Sequence, residues 1–193
     1  LHEHGLFAEM FPATEQELLL DDDFMRFVRA ALQNTDRRVR AGKSITPMFL
    51  LGVFFWAPVV KLAEIRRSEE NMSESQSLSV ASYDIVAQQQ RRISIPRRFT
   101  GPMREMLALQ PRFLQMRGKR AMKLLDHRRF RAAYDFMVLR AETGQIEADV
   151  ASFWTDAQTQ TAEERAVSFQ LNAQTEKKRR PRSRRRRRTS QSL

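Results

Sequence analysis

The sequence predicts an all-α protein, with a helical body of about six to eight helices followed by a disordered, arginine-rich C-terminal tail. Three observations favour this fold class. Apolar residues recur at intervals of three and four along most of the chain, as on one face of an amphipathic helix. Proline and capping residues stand where helices would begin. From Lys177 to Leu193 there are ten basic residues and no acidic one, a composition that cannot form a core.

The first half of the chain shows two strong helix patterns. Asp23 is the expected N-cap of a helix whose apolar face begins at Phe24. Thr46, followed by a proline, opens a second and almost wholly apolar helix over Pro47–Ala63. A membrane-spanning helix needs roughly 20 apolar residues, so this interrupted run predicts a buried core helix. Pro58 should kink or end it.

The second half of the chain divides into shorter elements. Ser68–Ser77 has almost no core-forming residue and is expected to be an exposed loop. Leu78–Arg92 begins with strand-like alternation, but its apolar residues also fit a helix, which we prefer. Ser94–Pro102 is a cluster of helix breakers, and Asp126 is a candidate cap between two helices. Further helices are expected over Met103–Met116, Lys119–Leu125, Arg128–Thr143 and Ile146–Gln158.

Charge is distributed unevenly along the chain. The formal net charge is +11, from 34 lysine and arginine residues and 23 acidic ones. Residues 1–90 carry a net charge of −4 and residues 132–176 one of −6, whereas residues 91–131 carry +11 and residues 177–193 carry +10. Two basic blocks in an otherwise mildly acidic protein predict an anionic partner.

The basic blocks are candidates for contacts with nucleic-acid phosphates. A solvated helix face is the alternative for the first block, and Arg131 can pair with Asp135, four residues on. Anionic lipid headgroups or an acidic protein surface would also attract the tail. The candidate residues are Arg97, Arg98, Arg104, Arg112, Arg117, Lys119, Arg120, Lys123 and Arg128 in the first block, and Arg184, Arg185, Arg186, Arg187 and Arg188 in the tail.

Two aromatic residues lie among these arginines. Phe99 and Phe113 are candidates to stack on nucleic-acid bases, although a core position fits both of them. The other aromatic residues sit mostly at core spacing.

The sequence contains no pattern typical of a catalytic or metal site. It has no cysteine, which excludes disulfides and thiolate metal sites. The acidic run Asp21–Asp23 is interpreted as capping the following helix, because no glycine-rich phosphate turn accompanies it. His2 and His4 are two histidines near the start of the sequence and are weak evidence for a metal site. The chain by itself therefore resembles a binding module rather than a catalyst, with no catalytic or metal-binding residue predicted.

Several segments, in order along the chain, resemble the C-terminal region of bacterial poly(A) polymerases. They are HGLFAEMFP, NTDRRVRAG, TPMFLLGVFFWAPVV, IPRRFTGPMREMLALQPRFLQ and RGKRAMKLLDHRRFRAAYDFMVLRAE. The last contains the specific pattern GKRAxKLL…FRAAYDF, and the tail matches in composition. The family usually has proline after the histidine, where this chain has Arg128, which removes a preset helix start and adds a positive charge.

The resemblance implies a function for the chain. Family members add adenylates from ATP to RNA 3′ ends, with two metal ions held in an N-terminal catalytic head. That head, with its Gly-Ser and Asp-x-Asp signatures, is expected to be missing from this chain. The chain is then expected to be the RNA-binding C-terminal part of such an enzyme. ATP and Mg²⁺ are expected for the full-length enzyme and no cofactor for this chain, and whether the chain alone is an enzyme stays open.

The resemblance also implies an organisation and a set of partners. Residues 1–45 are expected to end the helical neck and RNA-binding region, residues 46–160 to form the helical C-terminal body, and residues 161–193 to form the disordered basic tail. The expected partners are RNA 3′ ends and RNA-degradation proteins, in the cytoplasm and without a membrane. The alternative is a standalone basic helical module that docks an acidic protein.

Overall fold

A computed structural model describes residues 5–170 of the chain. Within that range it contains helices and no strand, and eight of the helices have seven residues or more, which confirms the predicted all-α fold. The predicted tail residues after Gln170 lie outside the described part. The helices are α1 Leu6–Met10, α2 Pro12–Leu20, α3 Asp22–Arg40, α4 Pro47–Glu70, α5 Glu74–Gln89, α6 Arg97–Ala108, α7 Gln110–Phe113, α8 Gly118–Met122, α9 Phe130–Glu142, α10 Ala148–Thr159 and α11 Ala162–Ser168.

Helix α4 is the centre of the fold. It packs against α2, α3, α5 and α6, and Val53, Phe55 and Val59 are almost completely buried. Of the described helices, α4 alone is long and apolar enough to cross a membrane by length and composition, and its packing accounts for that composition. At Gly52 a Cβ atom would lie 2.4 Å from Met106 Cε, so glycine at this position lets α6 approach α4 closely.

Pro58 lies inside α4 without ending it, so the prediction that the helix ends there is wrong. Proline has no N–H group to donate to the carbonyl four residues earlier, which here belongs to Phe54. The hydroxyl of Thr14 on α2 donates to that carbonyl instead, at 2.9 Å. Because Thr14 is almost completely buried, this bond replaces the missing helical one away from solvent and attaches α2 to the central helix.

The acidic run caps α3, as the sequence indicates, but the capping residue is Asp21 rather than Asp23. The Asp21 carboxylate accepts hydrogen bonds from the backbone N–H groups of Asp23 and Phe24, each at 2.9 Å. Asp22 and Asp23 then occupy the first turn, where negative charge interacts favourably with the helix dipole.

The expected loop Ser68–Ser77 is mostly helical. Helix α4 runs to Glu70, and α5 begins at Glu74 after a short turn. A capping box starts α5, since the Ser73 side chain accepts from the Gln76 N–H while the Gln76 side chain accepts from the Ser73 N–H. The prediction of a helix over Leu78–Arg92 is confirmed by α5.

The C-terminal part of the described chain closes around Trp154 on α10. Trp154 is completely buried, and its indole N–H donates to the Phe113 carbonyl at 2.8 Å. Phe169, just after α11, is also completely buried and contacts Phe153 and Trp154. Residues 161–170 therefore belong to the packed body, which differs from the expectation that the tail begins at residue 161.

Candidate nucleic-acid interface

The candidate basic residues of the first block occupy α6, α7, α8 and the turn into α9. We call the nine of them the basic surface. Seven are exposed, and Arg104 and Arg112 are half-buried. Among residues 5–170, Arg128 is the member that forms an ion pair with a carboxylate. The members are Arg97, Arg98, Arg104, Arg112, Arg117, Lys119, Arg120, Lys123 and Arg128.

Direct contacts link only some parts of the basic surface. The Arg112 guanidinium donates to the Arg120 carbonyl at 3.4 Å, which joins α7 to α8. Arg97 and Arg98 begin α6 and lie two turns, about 10 Å, before Arg104 along the helix axis. No hydrogen bond or ion pair of the described chain connects Arg97 or Arg98 to the α7–α8 group. The basic surface thus extends over several helices, from α6 to the turn before α9.

The start of α8 is fixed by the far end of the described chain. The Gly118 N–H donates to the Phe169 carbonyl at 2.7 Å. Gly118 has φ +81°, a left-handed conformation that glycine adopts without strain. Because Phe169 is anchored in the core, this bond holds Lys119 and Arg120 at a fixed place on the surface. It also places the point where the chain continues towards residues 177–193 beside α8.

Glu105 on α6 neutralises part of the basic surface. It pairs with Arg128, and its other carboxylate oxygen accepts from Arg129 Nε at 3.0 Å. Burial raises the pKa of Glu105, but the hydrogen bonds and charges of Arg129 and Arg128 outweigh it and hold the pKa below the usual value. Arg128 is therefore less free to bind an external anion than the unpaired members. The predicted pair of Arg131 with Asp135 is confirmed at 3.2 Å.

His127, rather than Asp126, makes the side-chain contact at the start of α9. Its Nδ1 accepts the backbone N–H of Arg129 at 3.1 Å, and the predicted cap at Asp126 is not formed. Helix α9 begins at Phe130, two residues later than expected. Burial and the nearby charge of Arg112 lower the pKa of His127, so His127 adds no positive charge at neutral pH.

The aromatic side chains that are accessible to a base differ from those that the sequence suggested. Phe113 is completely buried against Phe130 and Trp154, so the hypothesis that it stacks on bases is wrong. Phe99 is half-buried in the core, with the Arg98 guanidinium 4.9 Å above its ring. Sequence reasoning missed Tyr83 on α5, which is 57% exposed and lies under the Arg104 guanidinium at 4.9 Å. Its neighbours in the sequence gave no signal, because only the packing of α5 against α6 brings it beside the arginines.

The tail candidates Arg184, Arg185, Arg186, Arg187 and Arg188 lie outside the described residues. Between residues 5 and 170 there is no group of three or more histidine, cysteine, aspartate or glutamate residues able to hold a metal ion.

The fold and the surface define an all-α domain that carries an excess of exposed, unpaired arginine and lysine. Comparison with known families makes the assignment specific: residues 70–189 match the family described as "Polymerase A arginine-rich C-terminus", and the chain belongs to that family. This confirms the resemblance seen in the sequence. The family match does not favour the alternative, a standalone basic module that docks an acidic protein.

Curated relatives support the same assignment. The chain is 35% identical over 144 residues to "Poly(A) polymerase I" of Escherichia coli O6:H1, an alignment that covers 74% of this chain and 31% of that protein. It is 32% identical over 165 residues to the Salmonella typhi protein of the same name, covering 82% and 35%. For the Haemophilus influenzae protein the figures are 32% over 176 residues, covering 88% and 38%. The chain thus spans about a third of the length of these relatives.

Proposed function

We propose that this chain is the RNA-binding part of a bacterial poly(A) polymerase, an enzyme that adds adenylates from ATP to RNA 3′ ends. The observation that carries the proposal is that the described part of the chain ends beside the basic surface. Gln170, the last described residue, follows Phe169, whose carbonyl accepts from the Gly118 N–H at the start of α8, and the second basic block begins further along the chain, at residue 177. Both blocks can then act on one RNA strand.

The proposed mechanism is capture of RNA by its phosphates. Lysine and arginine side chains that neutralise phosphates release condensed counterions, which drives binding without reading sequence. Attaching two phosphate-binding segments side by side raises the effective concentration of RNA for the second after the first has bound. In the full-length enzyme this would hold the 3′ end near a catalytic head that supplies the ATP and Mg²⁺ sites. The proposed location is the cytoplasm, and RNA-degradation proteins are the proposed further partners.

The test is the salt dependence of RNA binding. Binding of fluorescent single-stranded RNA is measured over a salt series for the whole chain, for residues 1–176, and for Lys119→Gln/Arg120→Gln/Lys123→Gln. Each lost phosphate contact should reduce the slope of log affinity against log salt by about 0.7. The triple variant should therefore lose about 2 from the slope, and the shortened chain about 3.5 if half of its ten tail charges are engaged.

A matched control removes the same charge elsewhere. Arg29→Gln/Arg37→Gln/Arg40→Gln takes three exposed cations from α3, in the acidic part of the chain, and should leave the slope nearly unchanged. If the triple variant on α8 behaves like this control, the basic surface is only a solvated helix coat and the tail alone holds RNA. Binding by the whole chain that does not depend on salt would refute the proposed function.

A further inference from the structure

Tyr83 is exceptional among the aromatic residues of the chain. The sequence has 13 phenylalanines, two tryptophans and two tyrosines, all of them between residues 7 and 169. All but Tyr83 are buried or half-buried, whereas Tyr83 is 57% exposed. A base needs an accessible ring face to stack on. In this chain Tyr83 is the ring that offers the largest accessible face.

Arg104 holds the ring of Tyr83 from one side. Its guanidinium carbon lies 4.9 Å from the ring centroid, in cation–π contact. Within the described chain, Arg104 has no ion pair, and its Nε is buried without a hydrogen-bond acceptor. The position of Arg104 is therefore set by packing against the tyrosine, and the charge of its guanidinium is not neutralised by a carboxylate. A ring and a free cation in contact combine the two groups that single-stranded nucleic acids need.

The charges around this pair are compatible with an anion. Arg97 lies seven residues before Arg104 on α6, so both side chains share a helix face, and Arg97 is exposed and unpaired in the described part. Asp84, next to Tyr83, is paired with Arg66 of α4, and its negative charge is offset. The ring thus lies beside the end of the basic surface formed by α6.

We propose that Tyr83 is a stacking platform for one base of single-stranded RNA, with Arg104 fixing the ring and binding a phosphate of the same strand. This inference rests on the proposed function and names a contact site for its RNA. The phosphate-binding residues alone bind any polyanion of the same charge. Tyr83 adds a contact that requires a base.

The test compares oligo(A) with an abasic oligonucleotide of the same length, both binding the whole chain. Phosphate contacts, including those of the tail, act on both oligonucleotides, so the ratio of affinities isolates the contribution of the bases. Tyr83→Leu should lower oligo(A) affinity about tenfold relative to abasic affinity, because any change in the phosphate contact of Arg104 acts on both oligonucleotides. Tyr83→Phe should keep the ratio of the original chain. Ala87→Leu, one turn further along the exposed side of α5, is the matched control and should also keep it.

A second readout is spectroscopic. An oligonucleotide that carries 2-aminopurine should lose fluorescence on binding the original chain, because the base stacks on the ring, and should lose less on binding Tyr83→Leu. If the original chain binds both oligonucleotides and Tyr83→Leu leaves their ratio and the quenching unchanged, this inference is wrong while the proposed function stands. If Tyr83→Phe loses the preference, the hydroxyl rather than the ring makes the contact, and the stacking proposal is also wrong. If the original chain binds neither oligonucleotide, the proposed function itself fails.

Discussion

Glu105→Gln should make this protein bind RNA more tightly. Glu105 is one of two acidic residues in the 91–131 block, and its carboxylate holds both Arg128 and Arg129. Glutamine has nearly the same shape but no charge, so the substitution frees two guanidinium groups at the edge of the basic surface. If that surface contacts RNA, one or two new phosphate contacts become available.

The size of the effect follows from counterion release. Each added contact with a single strand steepens the slope of log affinity against log salt by about 0.7. Between 50 and 200 mM salt, the advantage of Glu105→Gln over the original chain should therefore shrink about 2.6-fold for one new contact and about sevenfold for two. The variant should bind tighter at low salt and approach the original chain at high salt.

The stability cost of the same substitution should be small. Glu105 and both arginines remain partly exposed, and ion pairs at protein surfaces contribute about 0.2–1 kcal/mol. The pKa of Glu105 is lowered in the folded protein, so the contribution of this carboxylate to stability is fully present above its unfolded-state pKa. It is lost as the pH falls through the lower, folded-state pKa. The Glu105→Gln variant should therefore not show this loss of stability as the pH falls.

The assay is anisotropy of labelled single-stranded RNA over the salt series, with urea denaturation of each variant. Glu69→Gln is the matched control, because it changes the net charge equally from an exposed position outside the basic block. An equal gain in both variants would mean that overall charge, rather than released arginines, changes the affinity. A gain in neither would place Arg128 and Arg129 off the RNA-binding surface.

Three further predictions concern the body that carries the surface, each checked by urea denaturation followed by circular dichroism at 222 nm. Thr14→Val should lower the free energy of unfolding by about 1–3 kcal/mol, because the buried Phe54 carbonyl loses its donor. Gly52→Ala should change the free energy of unfolding by less than about 1 kcal/mol, because its Cβ would meet the flexible end of the Met106 side chain and alanine favours a helix over glycine. Arg140→Met removes a mostly buried charge, whose pKa burial lowers to about 10, but also the hydrogen bond to Gln110 and the contact with Trp56. These effects oppose each other, so stability should change by less than about 1 kcal/mol. A substantial loss for Arg140→Met or Gly52→Ala, or none for Thr14→Val, would contradict these reasons.

The fold class could be predicted from sequence because helical periodicity is a local signal. The helix end predicted at Pro58 was wrong because the prediction assumed an isolated helix, in which the carbonyl of residue 54 would have no donor. Thr14, 40 residues earlier, supplies that donor. No local pattern reveals such a partner, since only the packing of α2 on α4 brings the two groups together.

The loop expected at Ser68–Ser77 shows a different kind of error. Polar composition suggested an irregular segment, but Ser73 and Gln76 form a capping box, and Ser77 is buried behind it. The spacing of serine and glutamine was present in the sequence as a helix-start signal. Here the helix-start signal was local, and the scarcity of hydrophobic residues did not exclude a helix.

The candidate interface was predictable in charge but not in detail. Clustered arginine and lysine identified a basic block correctly, since charge is a property of composition. Which cations are free depends on partners such as Glu105, and which rings are accessible depends on helix packing. Phe113 lies among arginines in sequence and is buried, whereas Tyr83 lies among polar and acidic residues and is exposed beside Arg104.

The distribution of aromatic residues limits how this body can recognise RNA. The aromatic rings around Trp154 and Phe136 are used to close the core, and a ring that is buried cannot also stack on a base. The exposed groups of the basic surface are flexible cations, which bind phosphates that every RNA shares. A single accessible ring adds affinity for a base without distinguishing one base from another, because each base has a face to stack. Under the proposed function, this arrangement favours binding of RNA strands of any sequence.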